Sequence, residues 1–396
     1  MKYKTISEMF FDVMSLNSEK EVFFHKVDDD WVSLKGKDII GKVNSLSNGL
    51  LSFNLNHGDK VAILSNTSYK WALCDYSIIC SGLTTVTVYP TLIEDKIHFI
   101  LNHSESKIIF VEDMIQYNRV KSIANKCPNL KKIIIMNFDD NDEQLSNNIN
   151  LKNLINYGMK SNNNLSVIRN NISEHDLVTL VYTSGTSGDS KGVMLSHKNL
   201  LSNIYAVSKI QKNINNEKFL SFLPMSHILE RMAGHFYPLY IHSQIYYAEN
   251  MESVALNMAE VSPSVVICVP RFFEKMHAKI VEQVNKSSDL RKKIFHWALQ
   301  VGKDTMNLKH AHQKVNFILD LKYQISEKLV YRKIRNKLGG NIKFFISGGA
   351  PLSTTIAEFF SGIGIIILEG YGLTETSPVL TSNTPESLRF GSVGKN

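Results

Sequence analysis

Residues 181–197 read VYTSGTSGDSKGVMLSH, with six serine or threonine hydroxyls, three glycines and one lysine directly after the apolar run LVTLV. Gly185, Gly188 and Gly192 permit positive φ and a close approach of backbone to a ligand. Thr183, Ser184, Thr186, Ser187 and Ser190 offer hydroxyls, and successive N–H groups can form an anion-binding nest. Lys191 adds a point charge of the sign a polyphosphate requires. A strand followed by such a loop reads as a phosphate cradle. The Walker pattern is excluded, because it needs lysine immediately after glycine and a helix starting there. Here Lys191 lies three residues after Gly188, and GVMLS beyond it favours strand. Taken alone, the stretch reads equally well as a polar surface loop with a chance lysine.

A second polar loop, EGYGLTETSP (369–378), follows the apolar run GIIIL. Tyr371 offers an aromatic face, Thr374 a hydroxyl and Glu375 a hard oxygen ligand suited to Mg²⁺. Upstream, SGGAP (347–351) is a turn of small residues that lets a flat ring approach the backbone. Each residue has an ordinary alternative: an exposed capping carboxylate for Glu375, a half-buried aromatic for Tyr371. A third element, LPMSHILERMAG (223–234), reads as helix, with His227 and Arg231 four apart on one face and Glu230 also one turn from His227. A lone histidine in such a segment also reads as a satisfied core residue.

The elements that must position these loops follow from short apolar runs. Strands are expected at 60–66, 84–90, 107–113 and 131–138, with helices between them, starting with 69–82. Alternation of this kind is the pattern of βαβ units on a mainly parallel sheet. Residues 139–171 break the rhythm with 11 asparagines in 33 residues, and asparagine favours turns. A connection at 141–171 between subdomains 1–140 and 172–396 is therefore expected. Strands resume at 177–182, 192–196, 218–224, 244–249 and 264–270. Residues 271–338 read as largely helical, and 342–376 as strand, glycine turn, helix, strand and polar loop. The fold class is α/β, with two related sheet regions and a helical, basic insertion.

Composition narrows the setting. The 396 residues exceed one ordinary core, and 43% hydrophobic with 20% charged residues is the balance of a globular chain. The four cysteines form no CxxC pair or metal spacing, which points to a reducing, cytoplasmic compartment. No apolar run is long enough to span a bilayer. Residues 271–343 carry 17 Lys/Arg against 6 Asp/Glu, a net +11 within a chain of net +7. Such a block suits a solvated face, an anionic membrane surface or a polyphosphate. Nucleic acid is not expected, since no recognition motif accompanies the charge.

Taken together, TSGTSGDSKGVMLSH, LPMSHILER, VPRFFEK, SGGAPL and EGYGLTETSP occur in the order found in adenylate-forming (AMP-binding) enzymes. The chain resembles their long-chain fatty acid–CoA ligase branch over essentially its whole length. Serine stands at Ser190 where many relatives have proline. The resemblance implies ATP-dependent activation of a long-chain fatty acid to an acyl adenylate with release of pyrophosphate, followed by transfer to CoA. It implies that Thr183, Ser184, Gly185, Thr186, Ser187, Gly188 and Lys191 hold the β- and γ-phosphates, and that Thr374 contacts phosphate. Glu375 would bind Mg²⁺; Gly349, Ala350, Tyr371 and Gly372 would frame the adenine. His227 would sit near the acyl carboxylate, and Gly348 beside the acyl channel. The family's C-terminal domain, with its catalytic lysine, is not found in the sequence. Transfer to a carrier protein, or binding without catalysis, are the alternatives. Peripheral contact with a membrane is also implied; the oligomeric state is not.

Overall fold

The computed structural model describes residues 1–138, 149–161, 163–183, 190–211, 214–310 and 313–395. Its strands, in chain order, begin with β1 (Glu21–Val27), β2 (Asp30–Lys35), β3 (Lys60–Leu64), β4 (Thr84–Val88) and β5 (Ile108–Val111). They continue with β6 (Lys132–Ile135), β7 (Ile149–Asn150), β8 (Leu177–Thr183), β9 (Lys191–Ser196) and β10 (Lys218–Ser221). The last five are β11 (Gln244–Tyr247), β12 (Val265–Cys268), β13 (Phe344–Ser347), β14 (Ile367–Gly372) and β15 (Val379–Ser382). The α/β expectation holds, and the chain divides into two compact units.

The first unit comprises residues 1–209, 223–247 and 374–378. Its main sheet has the order β7-β6-β5-β3-β4-β8-β9, parallel except for the β8–β9 hairpin at one edge. β4 and β5 are buried along their whole length, because helices cover both faces of a parallel sheet. Side-chain caps start the helices that cross it: Ser68 Oγ accepts from the Trp71 N–H, and Asp113 Oδ1 from the Gln116 N–H. A second group, β2-β1-β11, is built from an N-terminal hairpin and a parallel partner. The hairpin escapes sequence reading because its burial is one-sided and its strands carry charged residues.

The asparagine-rich stretch does not separate the units. β8 and β9, beyond it, pair into the same sheet as β3–β6. The helix Leu151–Met159 packs closely on the helix Gly36–Leu51, where a Cβ on Gly158 would lie 1.8 Å from the Ser45 carbonyl oxygen. Part of the stretch, 139–148 and 162, lies outside the described residues. Asparagine composition reports local turn preference, whereas sheet pairing and the Gly158 contact decide membership of a unit.

The second unit comprises residues 210–222, 248–373 and 379–396. It holds the parallel strands β10-β12-β13-β14 with β15 antiparallel at the edge. The expected helical region follows β12, with helices Pro270–Asn285, Asp289–His310 and Phe317–Ser326. Pro270 occupies the first helical position, where its missing N–H costs nothing.

Candidate functional site

β4 passes the chain to β5 on one side of the sheet, while β8 passes it to β9 on the other. The carboxyl ends of β4 and β8 are thus a topological switch point, the position at which open α/β sheets bind ligands. Thr183 ends β8 and pairs with Lys191, the first residue of β9. The turn Thr374–Thr376 lies beside β9, with Cα atoms within 8 Å. The first unit thus brings Thr183, Lys191, Thr374 and Glu375 to one edge. Ser184, Gly185, Thr186, Ser187 and Gly188 lie outside the described residues. Gly192 needs no unusual φ: it sits within β9, and its missing side chain leaves room for the Tyr182 ring, 3.2 Å from a would-be Cβ. Its smallness serves packing, not approach of a ligand.

His227 reaches the same end of the sheet through a series of anchors. The Thr67 hydroxyl donates to the Leu223 carbonyl at 2.6 Å and accepts from the Met225 N–H at 2.8 Å. Thr87, near the carboxyl end of β4, donates to the Ser226 carbonyl at 3.0 Å. His227 follows directly, in a bend before the helical turn. Its Nδ1 accepts from the Leu229 N–H at 3.1 Å, so the neutral ring carries its proton on Nε2. Although the side chain is exposed, the surrounding protein is close enough for desolvation to lower its pKa.

The expected shared face of His227 and Arg231 is not formed. Arg231 turns into the core as part of a π-helical segment, Glu230–Phe236, and is fully buried. Its Nε and Nη2 donate to the Asp75 carboxylate at 2.8 and 2.5 Å, and Thr85 donates to the same carboxylate at 2.7 Å. Burial raises the Asp75 pKa, opposed by Arg231 and Thr85. The guanidinium also lies 5.5 Å from the Trp71 ring centroid and 5.4 Å from that of Phe236. Asp75, Thr67 and Thr87 hold the His227 segment and were not singled out from sequence. The available signal was one acid within the otherwise apolar YKWALCDYSIIC.

The remaining candidates belong to the second unit. β13 and β14 run parallel, with Ser347 opposite Glu369, so SGGAP and EGYG leave neighbouring carboxyl ends. The Gly348 N–H donates to the Cys268 carbonyl at 3.2 Å, and Gly348 is buried. Gly349 takes φ +83°, a conformation that favours glycine, and Ala350 is exposed beside it. The Glu369 carboxylate accepts from the Leu352 N–H at 3.3 Å, tying the two loops together; burial raises its pKa. Tyr371 pairs with Thr381 on β15 and leaves its ring half exposed; Gly372 follows at the end of β14.

Metal binding has limited protein resources here. Among the described residues no group of three or more His, Cys, Asp or Glu is arranged to hold an ion. Glu375 is exposed and forms no ion pair with a described residue, so its carboxylate is open to a hard cation. One carboxylate plus ligand phosphates and water is a normal Mg²⁺ environment.

The two-unit α/β fold carries polar loops at the carboxyl ends of its strands, and the AMP-binding enzyme family model matches residues 13–396. The chain belongs to that family. Among its relatives is the long-chain-fatty-acid–CoA ligase FadD15 of Mycobacterium bovis, 29% identical, with alignment covering 100% of this chain and 64% of the relative. The chloroplastic long-chain-fatty-acid–[acyl-carrier-protein] ligase AEE15 of Arabidopsis thaliana is 27% identical over 92% of this chain and 55% of its own length. The fold is shared with the crystal structure of a long-chain-fatty-acid–CoA ligase, FadD1, from Archaeoglobus fulgidus. That match has a TM-score of 0.72 at 17% identity and covers 99% of this chain and 69% of the other. The chain thus spans less than two thirds of these curated relatives.

Proposed function

We propose that this chain carries the nucleotide- and acyl-binding part of a long-chain fatty acid–CoA ligase, which converts a fatty carboxylate and ATP to an acyl adenylate and pyrophosphate. The observation that carries this reading is the proximity of the Thr374–Thr376 turn to β9, the strand that opens with Lys191. A carboxylate and a triphosphate repel one another, so cationic groups must offset both before the carboxylate attacks the α-phosphorus. Lys191 and the loop 183–188 hold the terminal phosphates, and Thr374 donates a hydroxyl bond to phosphate. Glu375 holds Mg²⁺, which when bound offsets phosphate charge. Neutral His227 offers its Nε2–H to the acyl carboxylate without placing a proton on it. Gly349, Ala350, Tyr371 and Gly372 frame the adenine, and Gly348 borders the acyl channel.

Transfer to CoA is proposed for the complete enzyme; the carrier-protein ligase among the relatives keeps a second acceptor open. Peripheral contact with a membrane belongs to the same reading, supported by exposed apolar residues among the basic helices of 271–343. The test is exchange of labelled pyrophosphate into ATP with a long-chain fatty acid and Mg²⁺. Lys191→Ala should lower the exchange by about a hundredfold, as loss of a transition-state charge partner does. Undiminished exchange in that variant would sink the phosphate assignment, and ATP binding with no exchange in the parent would favour the non-catalytic alternative.

A further inference from the structure

Within the first unit, the helices Gly36–Leu51, Tyr69–Cys80 and Leu151–Met159 line an open cavity of about 430 Å³ near the carboxyl ends of β6 and β7. Its volume falls in the range of roughly 300–1,000 Å³ typical of small-molecule sites. The lining has two chemical parts. Leu73, Phe138 and Ile155 contribute to an apolar side, while Lys42, Lys70 and Lys152 bring ammonium groups; none of the described lining residues is acidic.

Lys70 is the informative group. Its Nζ donates to the Met136 carbonyl at 3.2 Å and to Asn137 Oδ1 at 2.7 Å, both neutral oxygens. An ammonium has three donors, so one remains for a ligand. Partial burial lowers the Lys70 pKa, and among the described residues no carboxylate offsets that effect. Next to it, His25 stacks on Tyr69 at 3.7 Å between centroids, and its pKa is lowered first by burial, then by Lys70 and Lys42. Lys42 and Lys70 therefore add to one positive field at His25, and neither forms an ion pair with a described residue. A partly desolvated ammonium beside an apolar wall is costly alone and complementary to an anion attached to an apolar body.

We propose that this cavity is a binding site for a monomeric amphiphilic anion, a carboxylate on an aliphatic chain, held by Lys42 and Lys70 against the Leu73–Ile155 wall. The proposal stands independently of the phosphate-loop reading, because no residue of the cavity belongs to that loop. The experiment uses the intact 396-residue chain and a dodecanoate bearing a photoreactive diazirine, with labelled peptides mapped by mass spectrometry. Label is expected on peptides from 36–51, 69–80 or 151–159, displaced by free dodecanoate and not by its methyl ester. Lys42→Gln/Lys70→Gln should reduce that label by about tenfold, the scale of one lost charge-assisted hydrogen bond. Lys191→Ala should leave it unchanged. If the double variant fails to fold by circular dichroism, Lys42→Gln alone should still weaken the label several-fold. The proposal is overturned if these peptides stay unlabelled, or if methyl dodecanoate competes equally. It is likewise overturned if inorganic phosphate displaces the label, or if phosphatidylglycerol vesicles compete where free dodecanoate does not.

Discussion

Asp75 and Arg231 form a fully buried, doubly hydrogen-bonded ion pair beneath the segment that carries His227. Removing one partner leaves the other charge desolvated, a larger loss than the pair's own net worth. Arg231→Met should destabilise the fold by about 3–5 kcal/mol, read as a lowered urea midpoint, and Asp75→Leu added to it should recover part of that loss. An unchanged midpoint in the single variant would mean that the pair contributes no structural support. The pair was not legible as a unit, since 156 residues separate its members. The candidate residues themselves were legible wherever a loop combined glycine, hydroxyl and charge. Gly192 shows the boundary of such reading: its type suited a ligand loop, and its actual neighbour is the Tyr182 ring.

At the scale of elements, the helix His197–Ile210 is tied to the N-terminal helix Ile6–Leu16 by one titratable contact. The Ile6 N–H donates to His197 Nδ1 at 3.0 Å, which requires that nitrogen to be unprotonated. His197 is buried, and desolvation lowers its pKa to about 4. Its folded value lies below the unfolded value near 6.5, so the unfolded chain binds the extra proton first. Stability from this group is complete above pH ~6.5 and declines as pH falls toward 4, by about 3 kcal/mol in total. His235, fully buried and also held neutral by desolvation, acts in the same direction. Urea midpoints measured between pH 7 and 4 should fall, and His197→Asn, which does not titrate, should reduce the slope. A flat parent profile would contradict the buried, neutral assignment. Helix and strand positions were largely readable from periodicity and caps. The β1–β2 hairpin was not, because its alternation is weak and its partner β11 lies about 220 residues away.

At the scale of the molecule, the unbalanced charge of 271–343 meets an unusual surface. Along the helix Phe317–Ser326 and its continuation, Phe317 is 82% exposed and Ile318 67%, with Leu321 and Leu329 also exposed. Lys322, Lys328, Arg332 and Lys333 are exposed on the same stretch. Among the described residues no helix is long and apolar enough to cross a membrane, so any lipid contact through them is interfacial. The chain should co-sediment with vesicles containing phosphatidylglycerol, less so at 0.5 M salt, and Phe317→Ser/Ile318→Ser should weaken the association. Equal recovery with neutral phosphatidylcholine vesicles would remove the electrostatic part of this reading.

The amino-acid sequence by itself determined the α/β class, most strand positions and the polar loops, because backbone preference, apolar period and turn chemistry are local. It also determined the family, since five short motifs recur in a fixed order. Only the tertiary structure decided which elements share a sheet: β8 and β9 join β4 across an asparagine-rich stretch that composition reads as a boundary. The same holds for Arg231, which pairs with Asp75 instead of sharing a face with His227. Burial and pairing between residues distant in the chain depend on the packed surroundings as a whole, and no local window contains that information.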